Sequence, residues 1–167
     1  MIYIGIDLSL TSTGICVLKD KTYEANIIKT KLKGCARLIY IKDKIEDILL
    51  SHFHGRDMLI AIEGYSYGSV GKMADIGELG GVVKTMIFDN NFKTIVIPPT
   101  SLKKFITGKG NSPKDIMISK TLKKYNVEFE NNNKCDAFGL AQMAKAYEEG
   151  TKIQYEKDAL KGVDLLK

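Results

Sequence analysis

Apolar residues in the first third of the chain occur first as continuous runs and then at helical spacing. Three runs rich in branched and aromatic side chains predict β-strands at about residues 1–7, 13–19 and 22–30. Asp20 and Lys21 separate the last two runs and predict a tight turn, so these strands form an antiparallel meander. From residue 35 to 52, apolar residues recur every three or four positions, which predicts an amphipathic helix that ends at Gly55.

The rest of the chain alternates between helices and strands. The runs MLIAIE at 58–63 and KTIVIP at 93–98 predict strands buried on both faces. Helical patterns predict helices near 72–89, 100–106, 113–125 and 134–149. Ser112 is the predicted N-cap of the third of these helices, with Pro113 at its first position. This order predicts an α/β fold in which helices flank a mixed five-stranded sheet, antiparallel over its first three strands and parallel beyond them.

Length and composition are typical of one intracellular domain. The 167 residues suit a single domain over residues 1–150, followed by a tail at 151–167 with a short helix. No stretch approaches the ~20 apolar residues of a membrane span. The three cysteines have no CxxC spacing and indicate buried thiols in a reducing compartment. With no signal-peptide pattern at the N-terminus, we expect a soluble cytoplasmic protein of a bacterium or a virus-infected cell.

Positive charge is concentrated in one segment of the chain, although the net charge is only +5. Seven lysines and a single acid, Asp115, lie between Lys103 and Lys124. This segment also contains Gly108 and Gly110, which allow backbone amides to approach a phosphate, so a polyanionic partner is one interpretation. A solvated helix face explains the last three lysines equally well: Lys120, Lys123 and Lys124.

Three single acids lie within apolar sequence. Asp7 and Glu63 end the first and fourth predicted strands, and Asp136 falls in the predicted first turn of the last long helix. Complementing the helix dipole would explain Asp136 alone. If the two strands are parallel neighbours, however, Asp7 and Glu63 meet at one edge of the sheet, where ligands gather in such folds. Three converging carboxylates repel one another unless cations lie between them, and hard oxygen ligands select magnesium or manganese.

Four motifs in a fixed order make the resemblance to a known family specific. They are IGIDLSLTSTG, IAIEGY, LKKFITGKGNSPKD and CDAFGLA, and together they resemble the RuvC family of Holliday junction resolvases, a branch of the RNase H-like nucleases. The match runs from about residue 2 to residue 146. It implies an RNase H-like fold for most of the chain.

The resemblance also implies a metal site. Asp7, Glu63 and Asp136 match catalytic ligands for two Mg²⁺ ions, with Mn²⁺ as a substitute. The family usually has an acid or a histidine three residues before the helix aspartate, and this chain has Asn133 there. An amide oxygen can ligate a hard cation but contributes no charge. Asn133 therefore leaves open a second interpretation, a junction-binding protein with weakened catalysis.

The lysines of the basic segment match positions that the family uses on DNA. Lys103 and Lys114 match catalytic lysines at the scissile phosphate, where an ammonium group offsets the charge that develops in the transition state. Lys104 and Lys109 are expected to bind phosphates further away.

Two other features match the family's DNA-binding and dimer surfaces. Tyr65 or Tyr67 is expected to stack on a base at the opened junction. Gly77, Gly80 and Gly81 cost stability inside a helix, so they need a reason based on close packing. The resemblance places this helix at a homodimer interface, and close approach to the chain's own sheet is the competing explanation.

Together these features predict a dimeric, Mg²⁺-dependent crossover junction endodeoxyribonuclease. Its substrate would be branched DNA, cut by paired symmetric nicks that leave 5′-phosphate and 3′-hydroxyl ends. A two-fold dimer suits a two-fold symmetric junction. A nuclease acting on flaps, forks or RNA-containing hybrids is a further alternative, because RNase H-like folds host all of these activities. The sequence does not identify a helicase partner.

Overall fold

A computed structural model of the chain describes residues 1–53, 55, 57–64 and 73–166. The strands are β1 (Ile2–Asp7), β2 (Thr13–Lys19), β3 (Thr22–Ile28), β4 (Met58–Glu63), β5 (Thr94–Ile97) and β6 (Asp164–Leu165). The helices are α1 (Gly34–Phe53), α2 (Met73–Asp89), α3 (Pro99–Thr107), α4 (Lys114–Tyr125), α5 (Asn132–Glu149) and α6 (Gln154–Leu160). None of the helices in these ranges is long and apolar enough to cross a membrane.

The strands form one mixed sheet in the order β3-β2-β1-β4-β5-β6. The predicted meander is confirmed, since β1 pairs with β2 and β2 with β3 in antiparallel register. β4 is parallel to β1, and β5 is parallel to β4. The prediction of five strands is wrong by one. β6 has only two residues, too few for a period-2 pattern, and its pairing with β5 depends on the fold of the C-terminal segment.

Helices cover both faces of the sheet and divide the core in two. On one face, isoleucines of β1 and β2 pack under α1 and α2. On the other, residues including Tyr3 and Leu59 pack under α3, α4 and α5, with Ala159 of α6 joining the same cluster. β3 is the exception, because most of its residues are exposed at the edge of the sheet.

Helix α5 lies unusually close to the sheet. A methyl group added at Gly5 would lie 1.9 Å from the carbonyl oxygen of Ala137. A methyl group at Gly14 would lie 2.1 Å from the carbonyl oxygen of Asn133. Both distances are far inside van der Waals contact, so these two glycines allow α5 to rest directly on β1 and β2.

The start of α4 differs from the predicted one. The N-cap position belongs to Pro113, which makes no side-chain capping bond, and the helix begins at Lys114. Ser112 is buried instead, and its hydroxyl donates to the Lys109 carbonyl at 2.9 Å and lies 2.7 Å from the Thr107 hydroxyl. Ser112 therefore closes the turn between α3 and α4 rather than capping α4.

The start of α5 also differs. Asn131 caps the helix, and its side-chain oxygen accepts from the backbone N–H groups of Asn133 and Lys134 at 2.9 and 3.3 Å. The helix begins at Asn132, so Asp136 lies in its second turn, and the prediction of a first-turn acid is wrong. Because the helix dipole acts mainly within the first turn, interaction with the dipole does not explain Asp136.

The segment after Gly150 packs onto the rest of the chain through a buried ion pair. Glu156 of α6 lies 2.5 Å from the ammonium group of Lys124, and its other oxygen accepts from the Thr151 hydroxyl. Lys124 also donates to the Phe105 carbonyl at 3.0 Å and lies over the Phe105 ring. The interpretation of Lys124 as part of a solvated helix face is therefore wrong, whereas Lys120 and Lys123 are exposed as that interpretation expects.

Candidate active site

The carboxyl ends of β1 and β4 bring two acids together. The parallel pairing of Ile6 with Ile62 places Asp7 and Glu63 side by side at the end of the sheet. Asp7 is only 8% exposed, and its carboxyl group is hydrogen-bonded to that of Glu63. A hydrogen bond between two carboxyl groups requires one of them to be protonated.

Asp136 joins this pair from α5. It is 9% exposed, and its negative charge acts on both Asp7 and Glu63. It reaches the sheet because α5 lies so close to β1. Three acids that are at least 56 residues apart in sequence thus converge at the same end of the sheet.

The environment of these acids opposes their ionisation. Burial, reinforced by the charges of Glu63 and Asp136, raises the pKa of Asp7 to about 9. Burial also raises the pKa of Glu63 and that of Asp136. A bound cation would favour the ionised forms of these groups by adding positive charge beside them.

Two lysines partly offset the negative charge. Lys114, the first residue of α4, lowers the pKa of all three acids by its positive charge. Lys103 of α3 does the same for Glu63 and Asp136. The structure therefore brings together the three acids and both of the lysines predicted at the scissile phosphate.

The other two predicted phosphate contacts lie elsewhere. The charge of Lys104 helps to lower the pKa of Asp158 on α6, so this lysine faces the C-terminal segment. Lys109 is exposed in the turn between α3 and α4. That turn follows Gly108, whose left-handed φ of 85° ends α3.

Asn133 has a clear structural contact. Its side-chain amide nitrogen donates to the carbonyl oxygen of Ser12 and so ties α5 to the loop between β1 and β2. Only its side-chain oxygen is left to act as the predicted metal ligand.

The hydroxyl-rich loop after Asp7 is held mainly by its own hydrogen bonds. The Ser9 N–H donates to the Thr13 hydroxyl at 3.1 Å, and that hydroxyl donates to the Ser9 carbonyl at 2.7 Å. The Ser9 hydroxyl in turn accepts from the Ser12 N–H at 3.3 Å. These bonds fix the chain directly after Asp7, which limits the movement of its carboxyl group.

The donor set fits a divalent cation, although it is not arranged as a finished metal centre. Within the described ranges, no three His, Cys, Asp or Glu side chains form a group that could hold a metal as they stand. Asp7 and Glu63 instead share a hydrogen bond, with Asp136 acting on them electrostatically. A cation would take the place of the shared proton, which suits the oxygen ligands that Mg²⁺ prefers.

The predicted dimer and base-stacking residues can be placed only in part. Among the described residues, methyl groups added at Gly77 and Gly81 of α2 would meet nothing within 4 Å, so close approach to the chain's own sheet does not explain these two glycines. Gly80 is buried. Tyr65 and Tyr67 lie outside the described residues.

The sheet order and the position of α5 are those of proteins with an RNase H-like α/β fold. In this chain, acids lie at the carboxyl ends of the central strands. No family model matches the chain. The crossover junction endodeoxyribonuclease RuvC of Rickettsia conorii is 28% identical over 152 residues, which cover 84% of this chain and 94% of the relative. This match confirms the resemblance to the RuvC family of Holliday junction resolvases.

Solved structures confirm the fold. RuvC of Thermus thermophilus in complex with a Holliday junction substrate superposes with a TM-score of 0.70 at 19% identity, covering 90% of this chain and 97% of that one. The yeast mitochondrial Holliday junction resolvase has a TM-score of 0.59 at 11% identity, covering 95% of this chain and 82% of that one. At such low identities the agreement concerns the fold alone.

Proposed function

We propose that this chain is a Mg²⁺-dependent endonuclease that resolves four-way DNA junctions by paired symmetric nicks. The observation that carries the proposal is the meeting of three carboxyl groups, two buried and one half-buried and each with a raised pKa, with two lysines at one end of the sheet. The curated RuvC relatives, which match 84% of this chain, support the same activity.

The acids would hold the metal. Asp7, Glu63 and Asp136 provide the carboxylates, and the side-chain oxygen of Asn133 adds a neutral ligand. These residues would hold two divalent ions, whose chemistry would be to activate a water molecule and to neutralise the leaving oxygen of a phosphodiester. The buried surroundings of Asp7 and Asp136 strengthen the attraction of the carboxylates for a cation, because little water screens it.

The lysines would act on the phosphate. Lys103 and Lys114 lie close enough to the acids to affect their ionisation. A phosphate bound at the acids would therefore also be attracted by the positive charges of these two lysines. Their ammonium groups offset the charge that builds up on the phosphate oxygens during hydrolysis. The expected products carry 5′-phosphate and 3′-hydroxyl ends.

Paired cutting would need two copies of the chain. A homodimer with two-fold symmetry places identical sites on two symmetric strands of a junction. The open surface above Gly77 and Gly81 suits a close contact with the second copy.

The test is a nicking assay on a synthetic four-way junction, with linear duplex, fork and flap controls, in magnesium, in manganese and with a chelator. We expect symmetric, metal-dependent nicks in the junction and none in the duplex. Asp20→Asn is a matched control for the acid variants, because Asp20 lies in the hairpin at the opposite end of the sheet. Preferential cutting of flaps or forks would overturn the junction assignment.

Asn133 favours one rival, a junction-binding protein with weakened catalysis. That rival predicts tight junction binding without cuts, and recovery of cutting in Asn133→Asp. Our proposal predicts that the wild-type chain cuts and that Asn133→Asp gains little, since an aspartate loses the amide donor to Ser12.

A further inference from the structure

A second basic region lies apart from the lysines between Lys103 and Lys124. The basic segment, residues 29–33 with the sequence KTKLK, joins β3 to α1. Between Glu24 and Asp43 the chain contains five basic residues and no acid. Lys29, Lys31 and Lys33 are all exposed, and none takes part in the ion pairs found among the described residues.

Strand register places the basic segment at the same end of the sheet as the acids. Asp7 pairs with Gly14, and the neighbouring Thr13 pairs with Ile28, the last residue of β3. The basic segment therefore leaves the sheet at the carboxyl end of β1. Two strand spacings separate β3 from β1, which puts the start of the basic segment about 10 Å from Asp7.

The start of α1 adds to the positive character of the region. Its first turn contains no acidic residue, so the partial positive charge of the helix N-terminus is not neutralised there. Arg37 lies one turn into α1, and its buried Nε atom has no hydrogen-bond partner among the described residues. The region thus combines exposed lysines, the uncompensated partial positive charge of the α1 N-terminus and an Arg37 Nε atom without a hydrogen-bond partner among the described residues.

We propose that the basic segment binds the phosphate backbone of one DNA arm beside the active site. This inference rests on the proposed function and adds a contact surface to it. At 3.4 Å per base along a strand, about 10 Å corresponds to about three nucleotides from the scissile phosphate. The lysines would position the arm without reading its sequence, because contacts to phosphates carry no base information.

The test measures junction binding against salt concentration. The triple variant Lys29→Ala, Lys31→Ala and Lys33→Ala is compared with Lys19→Ala, Lys21→Ala and Lys152→Ala, which removes three exposed lysines at the opposite end of the fold. Fluorescence anisotropy with a labelled four-way junction, in calcium to prevent cutting, gives the slope of log affinity against log salt. Each lost phosphate contact reduces this slope by about 0.9.

We expect the basic-segment variant to lose about two to three units of slope and the opposite-end variant to lose less than one. Single-turnover nicking at saturating protein, measured in parallel, separates a loss of affinity from a loss of chemistry. Equal slopes in the two triple variants would overturn the inference. Lys31→Glu, compared with Lys21→Glu, repeats the test with a single exposed change if either triple variant fails to fold.

Failure of the inference and failure of the proposed function give different results. A wild-type chain that neither binds nor cuts a junction overturns the proposed function, and the inference with it. A wild-type chain that cuts junctions while the basic-segment variant keeps the full salt slope overturns the inference alone.

Discussion

Among the residues that the structure describes, buried acids occur in two regions, and their surroundings are opposite in kind. Glu156, 5% exposed, has a lysine at 2.5 Å, a hydroxyl donor and aromatic rings around the lysine. Asp7, 8% exposed, has another carboxyl group as its hydrogen-bond partner and a third acid close by. The charge of Glu156 is paired with Lys124 within the chain. Asp7 faces two further acids, so a cation from outside the chain would have to balance their negative charge.

The difference separates a structural acid from the acids of the proposed metal site. A buried charge that is fully paired holds elements together, and here it fastens α6 to α4. Buried acids that oppose one another cost stability, and a fold retains such a cost where a ligand or a reaction needs it.

The largest effect is expected at Asp7. Asp7→Asn removes a carboxylate from the proposed metal site, so the rate of junction nicking should fall at least ~100-fold while junction binding persists. Nicking rates and anisotropy measure the two properties. Asp20→Asn should leave both unchanged, and an Asp7→Asn variant that cuts at the wild-type rate would contradict the site.

Breaking the ion pair should reduce stability and leave catalysis alone. Glu156→Gln strands the Lys124 ammonium group among aromatic rings, which should lower the free energy of unfolding by about 3 kcal/mol. Denaturant unfolding measures this change. Glu148→Gln is the matched control, because it breaks the more exposed pair with Lys93 and should cost less than ~1 kcal/mol.

Magnesium should stabilise the protein, and more so at higher pH. The pKa of Asp7 is raised to about 9 without metal, so its contribution to stability is full below about pH 4 and is lost as pH rises toward 9. A cation reverses that loss by pairing with the carboxylates. At ~100 times its dissociation constant, Mg²⁺ should raise Tm by roughly 5 °C near pH 8.

Thermal scans at pH 6 and pH 8, with magnesium and with a chelator, measure this effect. Asp7→Asn should show a smaller fall of Tm with pH and a smaller response to magnesium. A magnesium shift that is equal in the variant and the wild type would place the cation elsewhere.

The smallest effect is expected at Lys114. Lys114→Ala removes an exposed ammonium group that offsets the charge of the acids, so single-turnover nicking should slow by roughly tenfold. Junction affinity at saturating magnesium should change less than the rate. Lys120→Ala, an exposed lysine two turns further along α4, is the matched control and should keep the wild-type rate.

Much of the fold follows from local patterns. The isoleucine-rich runs and the Asp20–Lys21 turn specify the meander, and the helical periods specify α1 to α5 to within a few residues. What local patterns do not carry is tertiary context. β6 is two residues long and forms only because the C-terminal segment returns to β5. Ser112 is hydrogen-bonded within the α3–α4 turn and therefore does not cap α4.

The site divides in the same way. Asp7, Glu63 and Asp136 stand out in the sequence because single acids are rare in apolar runs. Lys124 looked like one more lysine of a basic run, because its partner Glu156 lies 32 residues away in a segment without a strong pattern. The amide contact from Asn133 to Ser12 joins residues 121 apart and has no local signal at all.

The two glycines beneath α5 also determine which substitutions this molecule tolerates near its acids. At Gly5 and Gly14 the gap between helix and sheet is too thin for one methyl group, so backbone contact determines how close Asp136 comes to Asp7. A Gly5→Ala change, two residues before Asp7 on β1, would displace the helix and with it Asp136, so tolerance to mutation near this site depends on its smallest residues.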